Sequence, residues 1–298
     1  MQYRGWLVLV LVLVGLLSLR AGQLDGRAGY DEPRRIATIT DPALGEVSGM
    51  TASRTGRGLW WMHNDSGDQA RLYAVDGKGA LRARFTVTGA RARDWEDLGS
   101  GPGRDGKPAL YIADIGDNGR VRDDLVIYRV PEPDLSKGLR DGATAQAEAF
   151  PFRYPDGRHD AESLIVDPKS GQPYLVTKTM APPCAVYRFP MPLRAGQRVT
   201  LEKVEGRAVE SISKLLLATG AAASPDGSRV VIRTYFTALE LVRPAGGKFD
   251  SLFQSAPVTI KIAGERQGES VCYSADGTAI HTTSEKTPAP IYELKRRQ

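Results

Sequence analysis

The strongest constraint on the fold is a strand pattern that recurs along the sequence at intervals of 52 to 59 residues. In each copy a central residue, usually tyrosine, lies between apolar residues, and these centres are Tyr73, Tyr128, Tyr187, Glu240 and Tyr292. An apolar strand pattern precedes each centre, in most copies after a turn of Gly, Pro and Asp, which favour tight-turn backbone conformations. A period of this length with several short strands per copy is typical of β-propeller blades.

The two ends of the chain complement each other in this pattern. Four strands are predicted in each repeat, but the last repeat ends at its third strand, near Leu294. Arg35–Ile39 can supply the fourth strand, and pairing it there would close the ring and remove exposed sheet edges. We therefore predict an all-β chain with a single β-propeller over residues 35–298, made of five four-stranded blades and closed by an N-terminal strand. The alternative is six blades, with the extra one within residues 190–222.

The composition fits a globular protein and disfavours several functional classes. Hydrophobic residues make up 41% of the 298, enough to bury a core. The net charge is +5, and the 40 lysines and arginines are distributed among 35 acidic residues along the sequence. A continuous basic stripe is therefore not expected, and neither is a nucleic-acid partner. Three histidines nearly exclude a histidine-only zinc site. The sequence contains neither a GxSxG elbow nor a Walker loop, which disfavours serine hydrolases and nucleotide-dependent enzymes.

The N-terminal segment has the pattern of an export signal. Arg4 precedes the apolar run Trp6–Leu19, as in a secretory signal peptide. We predict that residues 1–22 are a signal peptide or a short N-terminal anchor and that residues 23–34 are a linker. No apolar stretch reaches the roughly 18 residues of a transmembrane helix. The expected location is outside the cytoplasm, either secreted or in the periplasm or cell envelope, and the expected state is a monomer.

Blade topology brings distant polar motifs to one end of the propeller. In an up-and-down blade, the loop before the first strand and the loop between the second and third strands lie at the same end. Most polar motifs of the sequence fall in these loops, so we expect them to surround one mouth of the central channel. The carboxylates expected to hold a metal ion there are those of Glu46, Glu96, Asp114, Glu162 and Glu269.

The charge of this mouth admits two explanations. Carboxylates at short range cannot all remain ionised unless a positive charge joins them. A divalent cation is one solution, and Ca²⁺ suits a flexible set of oxygen ligands better than Zn²⁺ does. Pairing of the glutamates with Lys178 and Arg233, without metal, is the other. A structural role, in which the glutamates cap backbone N–H groups, is equally open.

Five further residues are candidates for binding or catalysis. Lys178 and Arg233 are predicted to bind an anionic substrate, together with Asn64. His63 and His159 are candidate general bases, because their loops are predicted to face the mouth. A structural, hydrogen-bonded role is the alternative for each histidine.

Seven motifs are distributed along the chain: EVSGM, WWMHNDSGD, RDWEDL, YIADIGDN, IYRVPEP, YPDGRHDAESLIVDP and QGESV. Together they resemble a group of secreted bacterial β-propeller proteins of largely uncharacterised function, which are distantly like phytase-like or lactonase-like propellers. The resemblance covers nearly all of residues 35–294, and it implies a propeller fold, export and an acidic mouth. More distantly, calcium-dependent propeller phytases and gluconolactonase-like enzymes hold a metal with acidic residues at the top of the channel. The fourth repeat departs from the pattern, since Thr219–Ala222 contains no acid.

Three kinds of function are compatible with these features. The first is a metal-assisted hydrolase of phosphoester or lactone type, which would bind Ca²⁺ and a small anionic substrate. The second is a propeller of the cell envelope that binds a ligand or a protein partner without catalysis. The third is a scaffold whose outer strands contact other envelope proteins.

Overall fold

The computed structural model describes residues 29–135, 138, 140–181, 183–215 and 217–297. These residues form 22 strands, one six-residue helix, α1 (Arg207–Ile212), and two 3₁₀ segments, Pro42–Leu44 and Phe249–Gln254. In chain order the strands are β1 (Arg34–Ile39), β2 (Val47–Ala52), β3 (Leu59–Asn64), β4 (Arg71–Asp76), β5 (Leu81–Thr86), β6 (Trp95–Pro102), β7 (Pro108–Asp114), β8 (Val126–Pro131), β9 (Gly142–Ala143), β10 (Glu148–Arg153), β11 (Ala161–Val166), β12 (Pro173–Thr177), β13 (Val186–Arg188), β14 (Val199–Thr200), β15 (Glu202–Lys203), β16 (Ala218–Ala223), β17 (Arg229–Thr234), β18 (Ala238–Val242), β19 (Val258–Ile260), β20 (Gly268–Tyr273), β21 (Ala279–Ser284) and β22 (Ala289–Lys295).

The strands form five sheets, which are the blades of one propeller. Their strand orders are β2-β3-β4-β5-β9, β6-β7-β8-β10-β14, β11-β12-β13-β15, β16-β17-β18-β19 and β20-β21-β22-β1. The prediction of five blades is therefore confirmed, and within the described residues the segment 190–222 contains no sixth sheet. Blades 1 and 2 each have a fifth, two-residue strand that the sequence did not predict. Strand β9 pairs in parallel with β5 of blade 1, and β14 pairs in parallel with β10 of blade 2. Each of them covers part of the outer edge of the blade that it joins.

The N-terminal strand closes the ring, as predicted. Strand β1 pairs antiparallel with β22, so that Ile39 lies opposite Ala289, and the Ile39 side chain is fully buried. The contact extends into the segment expected to be a linker, because Tyr30 bridges to Arg296 and is buried between blades 4 and 5. The predicted signal peptide, residues 1–22, lies outside the described residues.

The core is divided into five apolar clusters, one at each interface between neighbouring blades. The repeated tyrosine belongs to these clusters, since Tyr73 and Tyr187 are buried at two different interfaces. Each blade is therefore stabilised mainly by the two blades beside it, and an open ring would leave two apolar faces in water. None of the helices in the described part of the chain has the length and apolar character needed to cross a bilayer.

Candidate functional site

Each inner strand carries a β-bulge near the end at which it begins. The residues at the bulges are equivalent in the five blades, and they are Ser48, Glu96, Glu162, Thr219 and Glu269. A bulge adds one residue to a strand and changes the direction of its side chain. The five inner strands contact one another around the axis, so three of these side chains bring a carboxylate to the same end of the channel. We call this end the mouth.

The structure corrects the sequence alignment in the first blade. Glu46 was expected to be the counterpart of Glu96, but the equivalent bulge residue is Ser48, two positions later. The hydroxyl of Ser48 donates a hydrogen bond of 2.5 Å to the backbone oxygen of Glu96 and so links two inner strands. Glu46 is exposed, and its charge contributes to raising the pKa of Glu285. The inner ring therefore contains three glutamates instead of four.

A second set of carboxylates joins Glu96 at the mouth. Asp65 lies in the loop after β3, Asp94 directly precedes β6, and carboxylate oxygens of Asp65, Asp94 and Glu96 lie within 4.8 Å of one another. The backbone of Gly116 packs directly on two of them, since a Cβ atom there would overlap the carboxylates of Glu96 and Asp94. Glu96 is buried, whereas Asp65 and Asp94 are half-buried, so this cluster offers three oxygen donors at the rim of the channel.

The opposite side of the mouth is built around Lys178. Its ammonium group pairs with the Glu162 carboxylate and lies 5.5 Å from the ring centre of Tyr235. The Tyr235 hydroxyl donates a hydrogen bond of 3.0 Å to Glu269 Oε1. The second oxygen of Glu162, Oε2, is buried and has no hydrogen-bond partner. Lys178 thus lies at the mouth as predicted, whereas the role of Tyr235 was not anticipated.

Crowding and burial raise the pKa values of these carboxylates. Burial, followed by the charge of Asp65, raises the pKa of Asp94 to about 6. Burial and the charge of Glu162 raise the pKa of Glu269 to about 7 and that of Glu96 well above its usual range. Burial also outweighs the attraction of Lys178 and raises the pKa of Glu162 to about 8. Without a bound cation these carboxylates would therefore retain protons near neutral pH.

We expect the free energy of unfolding to fall as the pH rises from 5 to 8 when divalent cations are absent. Unfolded carboxyl groups titrate near pH 4. The folded chain keeps protons on Asp94, Glu269 and Glu162 up to about pH 6, 7 and 8, so it binds more protons than the unfolded chain in this range. Stability must then decrease with rising pH, by on the order of a few kcal/mol. Urea unfolding in chelator across this range measures the trend, and stability that rises from pH 5 to 8 would contradict it.

Asp114 faces an arginine that the sequence analysis missed. Its carboxylate forms a buried ion pair of 2.7 Å with Arg122 and accepts the backbone N–H of Asp94 at 3.1 Å. Because these partners occupy it, Asp114 orients the loop that carries Asp94 and does not join the metal cluster of Asp65, Asp94 and Glu96.

Arg233 and His63 lie in the interior, contrary to the expectation that they face the mouth. Arg233 is fully buried, pairs with buried Glu265 at 3.1 Å and donates to the backbone oxygen of Ser270 at 2.9 Å. His63 is also fully buried, packs edge-on against Trp95, and has a pKa lowered by burial. Both residues lie on the second strand of their blade, β17 and β3, and are fully buried, so neither is placed to contact a ligand.

His159 and Asn64 make hydrogen bonds within their own blades. Nε2 of His159 lies 2.9 Å from Asp156 Oδ1 and 3.1 Å from the Tyr187 hydroxyl, which belongs to the third strand of blade 3. The side-chain amide of Asn64 donates to the Ala43 carbonyl and to Asp68, each at 2.8 Å. The roles of these residues in catalysis and binding remain predictions, and their hydrogen bonds indicate that they stabilise loops.

No protein-family model and no curated protein matches this chain. Among solved structures it is similar to the soluble aldose sugar dehydrogenase of Escherichia coli in its apo form, at 9% identity and a TM-score of 0.47 over 89% of this chain and 99% of that one. A gluconolactonase from Xanthomonas campestris is similar at 13% identity and a TM-score of 0.47 over 90% and 96%. A glucose dehydrogenase is similar at 10% identity and 0.46 over 88% and 99%. A gluconolactonase is thus among the structures to which this chain is similar, as the resemblance noted in the sequence implies.

Proposed function

We propose that the mouth binds a divalent cation, preferably Ca²⁺, through Asp65, Asp94 and Glu96. The observation that carries the proposal is the convergence of three carboxylates within 4.8 Å, of which that of Glu96 is buried. All the donors are oxygen atoms, one from the loop after β3 and two from the start of β6, a set that suits a hard cation with flexible coordination. Among the residues that the structure describes, the cluster includes no sulfur or imidazole donor, the kinds that zinc prefers.

The electrostatics of the cluster support a cation in particular. Burial raises the pKa values of Glu96 and Glu269, and the charge of Glu162 raises both further. A bound divalent cation would remove this repulsion and release the protons that the carboxylates hold. The alternative of internal pairing is supported only at Glu162, since Arg233 is paired with Glu265 away from the mouth.

We further propose that a small anionic molecule binds beside the cation, against Lys178 and Tyr235. Lys178 offers a positive charge, the Tyr235 hydroxyl lies 3.5 Å from its Nζ, and both groups border Glu162 and Glu269. With a pKa of about 8, Glu162 can give or take a proton near neutral pH, as a general acid or base must. Hydrolysis of a phosphoester or lactone, with a cation polarising the ligand, is the reaction we propose.

Binding without turnover is the second candidate. The observation that favours it is the position of the histidines, because His63 is buried and His159 is held by Asp156 and Tyr187. We also propose that the protein is exported, monomeric and free of nucleic-acid partners, on the basis of its N-terminal segment and its mixed surface charge. Extracellular calcium sites commonly have dissociation constants on the order of 10⁻⁴–10⁻³ M, which fits such a location.

Calorimetric titration with CaCl₂ tests the cation site. We expect one ion to bind, and Glu96→Gln, which keeps the shape but removes the charge, to weaken binding by roughly 100-fold or more, about 2.7 kcal/mol. Glu202→Gln is the matched control, because Glu202 lies on the outer strand β15 and pairs with Arg188. Equal affinity in the wild type and Glu96→Gln, or no binding to the wild type at millimolar Ca²⁺, would refute the proposal.

A further inference from the structure

The mouth of the propeller carries exposed apolar side chains that neither the fold nor a cation site requires. Four large apolar side chains are exposed among the described residues: Met180 at 73%, Phe236 at 70%, Val121 at 64% and Met191 at 43%. The first three lie in loops between the second and third strands of blades 3, 4 and 2, at the mouth. Met191 follows the third strand of blade 3, so it lies at the opposite end. Three of the four exposed large apolar residues therefore lie at the end that carries the carboxylates.

Two of these residues are close in sequence to the polar residues of the proposed anion site. Phe236 follows Tyr235, and the two rings are in edge-on contact with centroids 6.4 Å apart. Met180 lies two residues after Lys178, whose Nζ is 3.5 Å from the Tyr235 hydroxyl. The loops of blades 3 and 4 therefore meet at this point, and each presents one exposed apolar residue beside the proposed anion site.

The fourth blade makes this side of the mouth less charged than the others. Its bulge residue is Thr219, whose hydroxyl donates to the backbone oxygen of Gly268 at 3.0 Å and contributes no charge. The carboxylates of Asp65, Asp94 and Glu96 come from blades 1 and 2. The metal cluster thus lies at blades 1 and 2, whereas the exposed Met180 and Phe236 lie at blades 3 and 4.

We propose that the ligand of this mouth is amphipathic, with a carboxylate head and an acyl chain. The head would lie beside Lys178 and the proposed cation, and the chain would cover Met180 and Phe236. This inference rests on the proposed function for the head group only. A polyol or free sugar would leave the two apolar side chains in water and gain nothing from them.

The size of the apolar surface favours a small molecule over a protein partner. An aromatic side chain buries about 150–250 Å² at most. Two or three partly exposed side chains therefore supply much less than the roughly 800 Å² that each partner contributes to a stable protein interface. The same area is enough to cover several methylene groups of a short acyl chain.

Calorimetric titration of the full-length protein with butyrate, hexanoate and octanoate, in 1 mM CaCl₂, tests this inference. We expect the affinity to rise about twofold to fourfold for each added methylene group, as apolar burial predicts. The variant Met180→Ser/Phe236→Ser should lose this dependence on chain length while it binds Ca²⁺ as the wild type does. Met191→Ser is the matched control, since it changes an exposed methionine at the other end, and it should keep the dependence.

The outcomes separate this inference from the proposed cation site. Calcium binding together with affinities that do not vary with chain length would overturn the amphipathic ligand and leave the cation site intact. If Ca²⁺ does not bind, the same titration without it decides the inference alone. Dependence on chain length that Met180→Ser/Phe236→Ser abolishes would then support it, and a flat series, or one that the variant leaves unchanged, would overturn it.

Discussion

Replacement of Asp97 by alanine is expected to lower the free energy of unfolding by on the order of 4 kcal/mol or more. The Asp97 carboxylate is fully buried and accepts the backbone N–H groups of Leu98, Leu164 and Ala221, at 2.8, 2.7 and 3.0 Å. These donors belong to the inner strands of blades 2, 3 and 4, so one side chain joins three blades at the axis. Alanine would leave three buried donors without partners, and each orphaned group costs about 1–3 kcal/mol.

Denaturant unfolding of the wild type and Asp97→Ala measures this effect, with Asp226→Ala as the control. Asp226 also accepts several hydrogen bonds, but it does so within the turn between β16 and β17, from Ser224 and Ser228. Its removal is expected to cost about 1 kcal/mol. Asp97→Asn keeps one acceptor oxygen and should have an intermediate stability. Similar losses for Asp97→Ala and Asp226→Ala would show that Asp97 does not hold the blades together.

Deletion of residues 29–39 is expected to prevent cooperative folding altogether. The segment contributes β1, the buried Ile39 and Tyr30, whose hydroxyl donates to Glu240 at 2.6 Å between blades 4 and 5. Without it, β22 would become an exposed edge and the interface between blades 5 and 1 would lose part of its core. The loss should exceed the roughly 5–15 kcal/mol by which a typical domain is stable.

A permuted chain is the control for this deletion. Gly29 and Arg297 are hydrogen-bonded neighbours, and β1 runs antiparallel to β22. Residues 29–39 placed after Arg297 through a short glycine linker can therefore return to the same position. We expect circular dichroism and thermal melting to show a folded ring for the permuted chain and not for the deletion. A deleted chain that melts cooperatively near the wild-type temperature would mean that the strand is not needed for closure.

The sequence predicted the fold because the repeat is local. Strand alternation, turn residues and the period of about 55 residues can all be seen within one blade, and the unpaired last repeat indicates where the N-terminal strand belongs. The general position of the acidic mouth followed from the same topology. What could not be predicted is the register at the bulges, because a bulge leaves no periodic signal. In the first blade the predicted position of the bulge residue was two residues too early, at Glu46, whereas the bulge is at Ser48.

The remaining differences arise from contacts between distant segments. Arg233 was predicted to bind an anionic ligand, but in the structure it forms a buried ion pair with Glu265, which lies 32 residues later in the chain. Asp65 and Asp94 occur in the motifs WWMHNDSGD and RDWEDL. The proximity of Asp65 to Glu96 depends on the packing of blade 1 against blade 2, which the sequence does not show. Tyr235 lies in the repeat with the weakest pattern, and no feature of the sequence indicates its contact with Glu269.

The most direct test of the acidic mouth is a crystal structure grown with CaCl₂ and an anomalous difference map. We predict one anomalous peak about 2.3–2.6 Å from carboxylate oxygens of Asp65, Asp94 and Glu96, the distances of calcium ligands. The peak should be absent from crystals of Glu96→Gln. A map without density at the mouth at millimolar Ca²⁺, or with the ion bound only elsewhere, would contradict the proposal that the five blades assemble a cation site.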